Sequence, residues 1–270
     1  MTDLRLSPSQ ISAWCVCHYA WYLQYQERRA RPPMGTIPGF GIMLHNLLEH
    51  LTRCVMNGER FQPPKVEDYL ESMYQSARAA GENMTEAETR RQIELVISHL
   101  EVFRGAYLPK LRPVAVEEGW NWNLEDSETG DAVTVYCRGD FRDERGFWLD
   151  HKLKSKVPSD RGSVPAADLL EQMILTSACP ETSEAYLQVY AKTGRKQVVI
   201  PLRLTSGAGA LYPDRAALVD ATVRMVLGFA RGIRAGDDAP TGLYTERWGR
   251  QTCYYCDWRK SGACKYQGGC

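Results

Sequence analysis

The chain has no surplus of either charge: 33 Lys and Arg balance 33 Asp and Glu over 270 residues. This argues against a protein that grips a polyanion by bulk positive charge, so any nucleic-acid partner has to meet local basic patches. A run of about 18 apolar residues is missing, and with it the expectation of a membrane-spanning helix. Met1-Thr2-Asp3-Leu4-Arg5 lacks the basic-then-apolar order of a secretory signal, so the expected compartment is the cytoplasm. There is no internal repeat and no low-complexity tract. Nine cysteines, an odd number, cannot all pair with one another, and a reducing compartment disfavours disulfides in any case.

With 44% apolar and 24% charged residues, the composition is that of an ordinary folded protein. Ser7-Pro8-Ser9 opens a helix expected over 8–25, where serine suits a cap and proline a first turn. Leu44, Leu47, Leu48, Leu51 and Val55 recur at helical spacing within a helix over 41–57. An acidic, mostly helical stretch over 66–107 follows, and Pro113 opens a β-rich region. Val133, Val135 and Cys137 alternate with polar neighbours as a half-buried strand does. Asp143-Glu144-Arg145-Gly146 turns into a strand over 147–152. A helix over 166–178, strands over 185–191 and 197–204, and a helix over 213–235 complete the pattern. This order suggests one α/β domain with a helical portion over about 1–110, a core over about 111–235 and a Cys-rich latch over about 236–270. Basic clusters stand at Arg28, Arg29 and Arg31, at Lys152, Lys154 and Lys156, and from Arg247 to Lys265.

Asp140 ends one expected strand, and Asp150-His151-Lys152 lies on the next. Side chains alternate along a strand, so Asp150 and Lys152 share one face while Phe147 and Leu149 share the other. If the strands form a hairpin, Asp140 lies near Asp150, and two carboxylates and an ammonium meet at one sheet edge. That set suits a hard divalent cation such as Mg²⁺ or Mn²⁺, with lysine to orient water or stabilise an anionic transition state. The alternative is two strand carboxylates with a salt-bridging lysine.

Together with their surroundings, these residues resemble the PD-(D/E)XK nuclease superfamily, in its RecB-like branch. Gly139-Asp140 and Asp150-His151-Lys152 look like the active-site core. Ser7-Pro8-Ser9-Gln10-Ile11 with Trp14, Cys17 and Trp21 resembles the opening helix, and Gly41-Ile42-Met43-Leu44-His45 the Gly-x-x-x-His helix. Val116-Glu117 resembles the Val-Glu strand and Gln172 the downstream Gln helix, although Thr176 stands where that motif ends in tyrosine. Cys253-x-x-Cys256 followed by Cys264 resembles the cysteine trio of the iron–sulfur branch, which includes the AddB nuclease domain and the fourth Cas protein family of CRISPR adaptation exonucleases.

The resemblance implies a restriction-endonuclease-like mixed central sheet flanked by helices. His45, Asp140 and Asp150, with the His151 backbone carbonyl, would bind Mn²⁺ or Mg²⁺. Lys152 would be the catalytic lysine, Gln172 would position water or substrate, and Glu117 would sit nearby. Cys17, Cys253, Cys256 and Cys264 would hold a [4Fe-4S] cluster, although the spacing accepts Zn²⁺ equally. Cys15 and Cys270 are the alternative ligands, while Cys54, Cys137 and Cys179 read as small core residues. The implied activity is exonucleolytic hydrolysis of DNA, at single-stranded ends, in CRISPR adaptation, recombination, repair or a phage programme. An integrase or helicase on a separate polypeptide and a homo-oligomer are the implied partners. The rival reading is a non-catalytic subunit that binds DNA ends.

Overall fold

A mixed sheet that forks beside one strand carries the molecule. In the computed structural model, which describes residues 4–29, 37–79, 83–236, 258 and 261–265, the strands are β1 (Leu4–Leu6), β2 (Pro113–Glu125), β3 (Ala132–Asp143), β4 (Phe147–Lys154), β5 (Glu184–Ala191) and β6 (Gln197–Pro201). β2 runs antiparallel along nearly all of β3 and takes up one of its edges. The other edge is shared. β1 pairs parallel with Val133–Val135, and β4 pairs antiparallel with Phe141–Asp143 only. Between these two pairings, among the described residues, no strand lies on that edge, and Asp140 stands where the gap opens. β4 then runs parallel to β5 for eight residues, and β6 closes the sheet antiparallel to β5.

The helices are α1 (Pro8–Val16), α2 (His18–Trp21), α3 (Ile37–Asn57), α4 (Glu67–Ala79), α5 (Glu86–Val102), α6 (Ala166–Ala178) and α7 (Arg215–Arg234). They cover the sheet from both sides. One buried cluster joins Ile11 and Trp14 of α1, Ile174 of α6 and Val226 of α7 to Val133, Val135 and Trp148. A second joins Leu44 and Leu48 of α3 and Ile93 and Leu100 of α5 to Val116, Phe141 and Leu149. This is the expected mixed α/β architecture, consistent with the restriction-endonuclease-like fold. No helix of the described residues is long and apolar enough to cross a membrane.

Local chemistry sets the boundaries. Ser7 and Gln10 form a reciprocal cap on α1, and Thr85 and Glu88 do the same on α5. The single helix expected over 8–25 is broken at Cys17, whose extended backbone (φ −162°, ψ 113°) lets its sulfur accept the Ala20 N–H at 3.4 Å and start α2 afresh. The helical stretch expected over 66–107 is two helices, the second ending in a wide π-turn over Phe103–Tyr107. β6 stops at Pro201 rather than residue 204, because Arg203 takes a left-handed conformation (φ 52°) that turns the chain. β1 was not expected; three residues are too few to display a period.

Strict alternation also fails at one place that matters. On β3, Cys137 belongs to the first cluster and Phe141, four residues on, to the second. On β2, Trp120 packs on the first cluster and Val116 lies in the second. A period of two would keep each pair on one face. Both strands therefore switch faces between these positions, and Glu117 of β2 holds a left-handed φ of 51° within that span. Such a conformation costs a non-glycine residue on the order of 1–3 kcal/mol.

Gly139 has a steric reason. A Cβ there would come within 2.3 Å of the Trp148 ring, which is fully buried and stacked on Trp120 at 5.1 Å between centroids. The indole has nowhere to retreat. Gly139→Ala is expected to lower stability by about 2–3 kcal/mol in urea unfolding, since packed cores resist added volume. An unchanged midpoint would contradict this packing.

Candidate active site

Three elements converge at the fork. α3 buries Leu44, Leu47, Leu48 and Leu51 against the sheet, which leaves His45 at the edge of that apolar stripe, its side chain 29% exposed. Arg53 ties the same helix to β2 by donating to the Val116 carbonyl at 3.0 Å, one residue before Glu117. β3 supplies Asp140. Ligand-capable atoms of His45, Glu117 and Asp140 all lie within 4.8 Å of one another. His45 Nδ1 is 3.3 Å from Asp140 Oδ2, and that oxygen also accepts the His151 N–H at 2.9 Å. Glu117 is ion-paired with Arg138. Between them lies a cavity of about 10 Å³ walled by Thr52, Phe141 and His151 as well, room for one water-sized particle.

Beside it stands a second constellation on the α6 side of β4. Lys152 Nζ is 3.1 Å from Asp150 Oδ2 and 3.1 Å from Glu171 Oε2. Ser12 of α1 donates to the other Glu171 oxygen at 2.9 Å. One step along both elements, Lys154 pairs with Asp168 at 2.9 Å. Asp150 and Lys152 do share a face, while Phe147 and Leu149 pack into the other cluster.

Burial dominates the electrostatics. It pushes Asp140 up to about 6, against the pull of Lys152 and the His151 N–H. It pushes Asp150 up to about 7, again against Lys152 and with repulsion from Asp140 adding to the rise. Burial also opposes the Lys152 ammonium, yet Asp150, Glu171, Asp140 and Asp168 outweigh it and hold the group charged well above the usual lysine value. Desolvation lowers His45 and, more strongly, His151, so both imidazoles are neutral near pH 7. A neutral imidazole can donate its lone pair to a metal. Two carboxylates and a neutral imidazole within reach of one small void form a donor set that suits Mn²⁺ or Mg²⁺, with the nitrogen favouring Mn²⁺.

The residues singled out in the sequence are therefore partly assembled. His45, Glu117 and Asp140 surround the void, and Asp150 is turned toward Lys152. His151 packs its ring against Phe103 and Tyr190, whose hydroxyl is 3.0 Å from Nδ1. Gln172 is fully buried, and neither of its amide atoms has a hydrogen-bond partner among the described residues, so it is not bonded to Lys152 or either aspartate. Its neighbour Glu171 makes that contact instead. The signal was present: acids three apart on a helix, Asp168 and Glu171, face lysines two apart on a strand.

A family model for the PD-(D/E)XK nuclease superfamily matches residues 5–261. The chain belongs to the PD-(D/E)XK nuclease superfamily. It is accordingly classed with metal-binding hydrolases that cut nucleic acid. No curated protein matches it. Among solved structures it is similar to a protein of Eubacterium rectale provisionally described as an exonuclease, at 12% identity and a TM-score of 0.49, covering 92% of this chain and 87% of that one. It is also similar to SSO0001, at 14% identity and a TM-score of 0.39, covering 84% and 95%.

Among the described residues the cysteines divide into two groups. Cys15, Cys54, Cys137 and Cys179 are buried, and burial pushes the thiols of Cys15 and Cys137 up to about 12. Cys15 belongs to the main core. Cys17 and Cys264 pack instead on a separate small cluster formed by Tyr19, Leu23 and Trp258. Cys253, Cys256 and Cys270 lie outside the described residues.

The raised carboxyl values give a signed prediction. A folded-state pKa above the unfolded value adds stability below about pH 4 that is lost as pH rises through 6 to 7. Above that range the metal-free nuclease holds two buried charges at a cost. Asp140→Asn should therefore stabilise the protein in EDTA at about pH 8 by on the order of 2 kcal/mol, with little effect at about pH 4. Mn²⁺ should raise the melting temperature of the wild type more at about pH 8 than at about pH 5, because its ligands must be unprotonated, and should leave Asp140→Asn nearly unmoved. Thermal melts across this pH series test both signs; equal Mn²⁺ shifts in the two proteins would remove Asp140 from the site.

Proposed function

We propose that this superfamily member is a metal-dependent DNA exonuclease that hydrolyses phosphodiester bonds at single-stranded ends. The observation that carries the reading is the juxtaposition of the His45–Glu117–Asp140 donor set with the Asp150–Lys152 pair across one fork in the sheet. His45, Asp140 and Asp150, with Glu117 and the His151 carbonyl at hand, would hold Mn²⁺ or Mg²⁺. Bound there, the ion would supply a water of lowered pKa and neutralise charge on the phosphate.

The chain's own residues do the rest. Lys152 keeps its proton, so its ammonium serves as a donor that orients the attacking water and offsets the charge gathering on the phosphoryl oxygens. Asp150 and Glu171 fix the direction of Nζ, and Ser12 fixes Glu171. Gln172, lying next to Glu171 on α6, is assigned to positioning of water or substrate. His45, kept neutral by burial, offers nitrogen rather than repelling a cation.

A [4Fe-4S] cluster held by Cys17, Cys253, Cys256 and Cys264 is part of the same proposal. Its support is the sequence pattern together with the packing of Cys17 and Cys264 against one small cluster, apart from the buried core thiols. Such a cluster would fasten the first helices to the end of a single domain spanning the chain, in the manner of a structural metal. The branch it resembles places the activity in CRISPR adaptation, recombination or repair, with an integrase or helicase as partner.

Two experiments test the proposal. End-labelled single-stranded DNA should be shortened by the anaerobically purified protein in Mn²⁺. Asp150→Ala and Lys152→Ala should each reduce the rate by on the order of 10²–10³-fold or more. Full activity in Lys152→Ala sinks the mechanism, and tight DNA binding without any wild-type cleavage favours the end-binding subunit. For the cluster, about four iron and four sulfide per chain are expected, with both lost in Cys17→Ala. Zinc without sulfide would assign the same thiolates to a zinc site.

A further inference from the structure

The helical layer of the second cluster does not reach the far half of the β2–β3 hairpin. There Trp120, Trp122 and Leu124 of β2 and Val133, Val135 and Cys137 of β3 face the first cluster. Alternation turns Gly119, Asn121, Asn123, Thr134, Tyr136 and Arg138 to the opposite side. The register agrees, pairing Gly119 with Arg138, Asn121 with Tyr136 and Asn123 with Thr134. All of these are exposed except Thr134, which is half-buried. Nearer the fork the same side of the sheet is covered by α3; here it is bare among the described residues.

Tyr136 is the notable occupant. It is 51% exposed, and it lies over Gly119: a Cβ on that glycine would fall 2.5 Å from the phenolic oxygen and 3.2 Å from Cζ. The missing side chain thus seats the ring against the backbone of β2 and leaves its other side to solvent. An exposed aromatic face on an open sheet is a platform on which an unpaired base can stack. Cations flank it. Arg138 is two residues away on the same strand, with its side chain 56% exposed. Arg5 joins from β1, because it pairs in parallel register with Thr134 while Leu6 is buried in the first cluster.

The face also leads to the site. Arg138 is ion-paired with Glu117, and Asp140 lies four residues beyond Tyr136, roughly 13 Å along the strand. Along the strand, the exposed ring and Arg138 therefore lead toward Asp140, at the edge of the part of the sheet that α3 covers.

We propose that this open face of β2 and β3 is the track on which a single DNA strand enters, with Tyr136 stacking on a base and Arg138 and Arg5 meeting its phosphates. The proposal rests on the nuclease reading and adds to it the path of the substrate. The other use of such a tyrosine is to cover a strand glycine, a purely structural service.

The test separates the two roles. Binding of a fluorescent single-stranded oligothymidine to the full-length protein is followed by anisotropy in EDTA, where no cleavage intervenes. Tyr136→Leu keeps apolar cover over Gly119 but has no π face; it should melt near the wild-type temperature and bind roughly ten-fold more weakly. Tyr136→Phe should bind within about two-fold of wild type. Arg5→Gln should flatten the dependence of log affinity on log salt by about one ion. A Tyr136→Leu protein that binds as tightly as wild type, while the wild type still cleaves in Mn²⁺, overturns the track and leaves the nuclease standing. A wild type that neither binds nor cleaves single strands overturns both.

Discussion

Carboxylates taken out of water at neutral pH repel one another and lose hydration, and the site at the fork is built around that cost. Asp140 and Asp150 are both pushed toward neutrality by burial. The protein answers on two sides. From one, Lys152 is held charged by a ring of acids; from the other, the His151 N–H binds Asp140 directly. What remains uncompensated is the side facing His45 and Glu117, where the small cavity lies. A divalent cation there would complete the charge balance, and the same desolvation that destabilises the metal-free protein would then strengthen its demand for metal.

The backbone contributes to this arrangement as much as the side chains. If β1 and β4 continued to meet along β3, Asp140 would sit beside a paired strand, and its carboxylate could not reach the His151 N–H. If β2 and β3 kept strict alternation, positions 116 and 141 would face α6 rather than α3. The switch of faces near Glu117 resolves both conditions within a few residues, at the cost of one left-handed non-glycine residue. Local strain of this kind persists only where the surroundings over-determine it, as the Trp120–Trp148 stack, Gly139 and the Arg53–Val116 contact do here.

Much of this could be read in the chain. Periodicity located α3 and the first half of β3, because Leu44, Leu47, Leu48 and Leu51 form one apolar stripe and Val133, Val135 and Cys137 alternate with polar neighbours. The Asp150–Lys152 face was legible for the same reason, since a period of two needs only the residues themselves. The fork, the switch of faces and the strained Glu117 were not. They depend on which strand lies beside β3 at each step, and pairing partners far apart in sequence leave no local trace. Glu171 has a different cause: its role shows only once α6 is laid against β4, where Asp168 and Glu171, three apart on a helix, meet Lys154 and Lys152, two apart on a strand.

The position of α1 follows from these contacts. Ser12 reaches Glu171, Glu171 holds Lys152, and Lys152 balances Asp150, so the N-terminal helix sets the last hydrogen bond in the chain that aims the ammonium. Five residues later the same segment presents Cys17 to the small cluster shared with Trp258 and Cys264. α1 is further fixed against α7, where the Trp14 ring occupies the space a Cβ on Gly232 would fill, at 2.8 Å. α1 is thus held by the core and by α7, while the segment that follows it packs with Trp258 and Cys264. Loss of the Ser12 hydrogen bond would free one Glu171 oxygen, and an ammonium whose anionic partner is less firmly held becomes harder to keep charged in a buried site. Packing of that segment on Trp258 and Cys264 therefore bears on the helix through which Ser12 holds Glu171 and, by way of Glu171, Lys152.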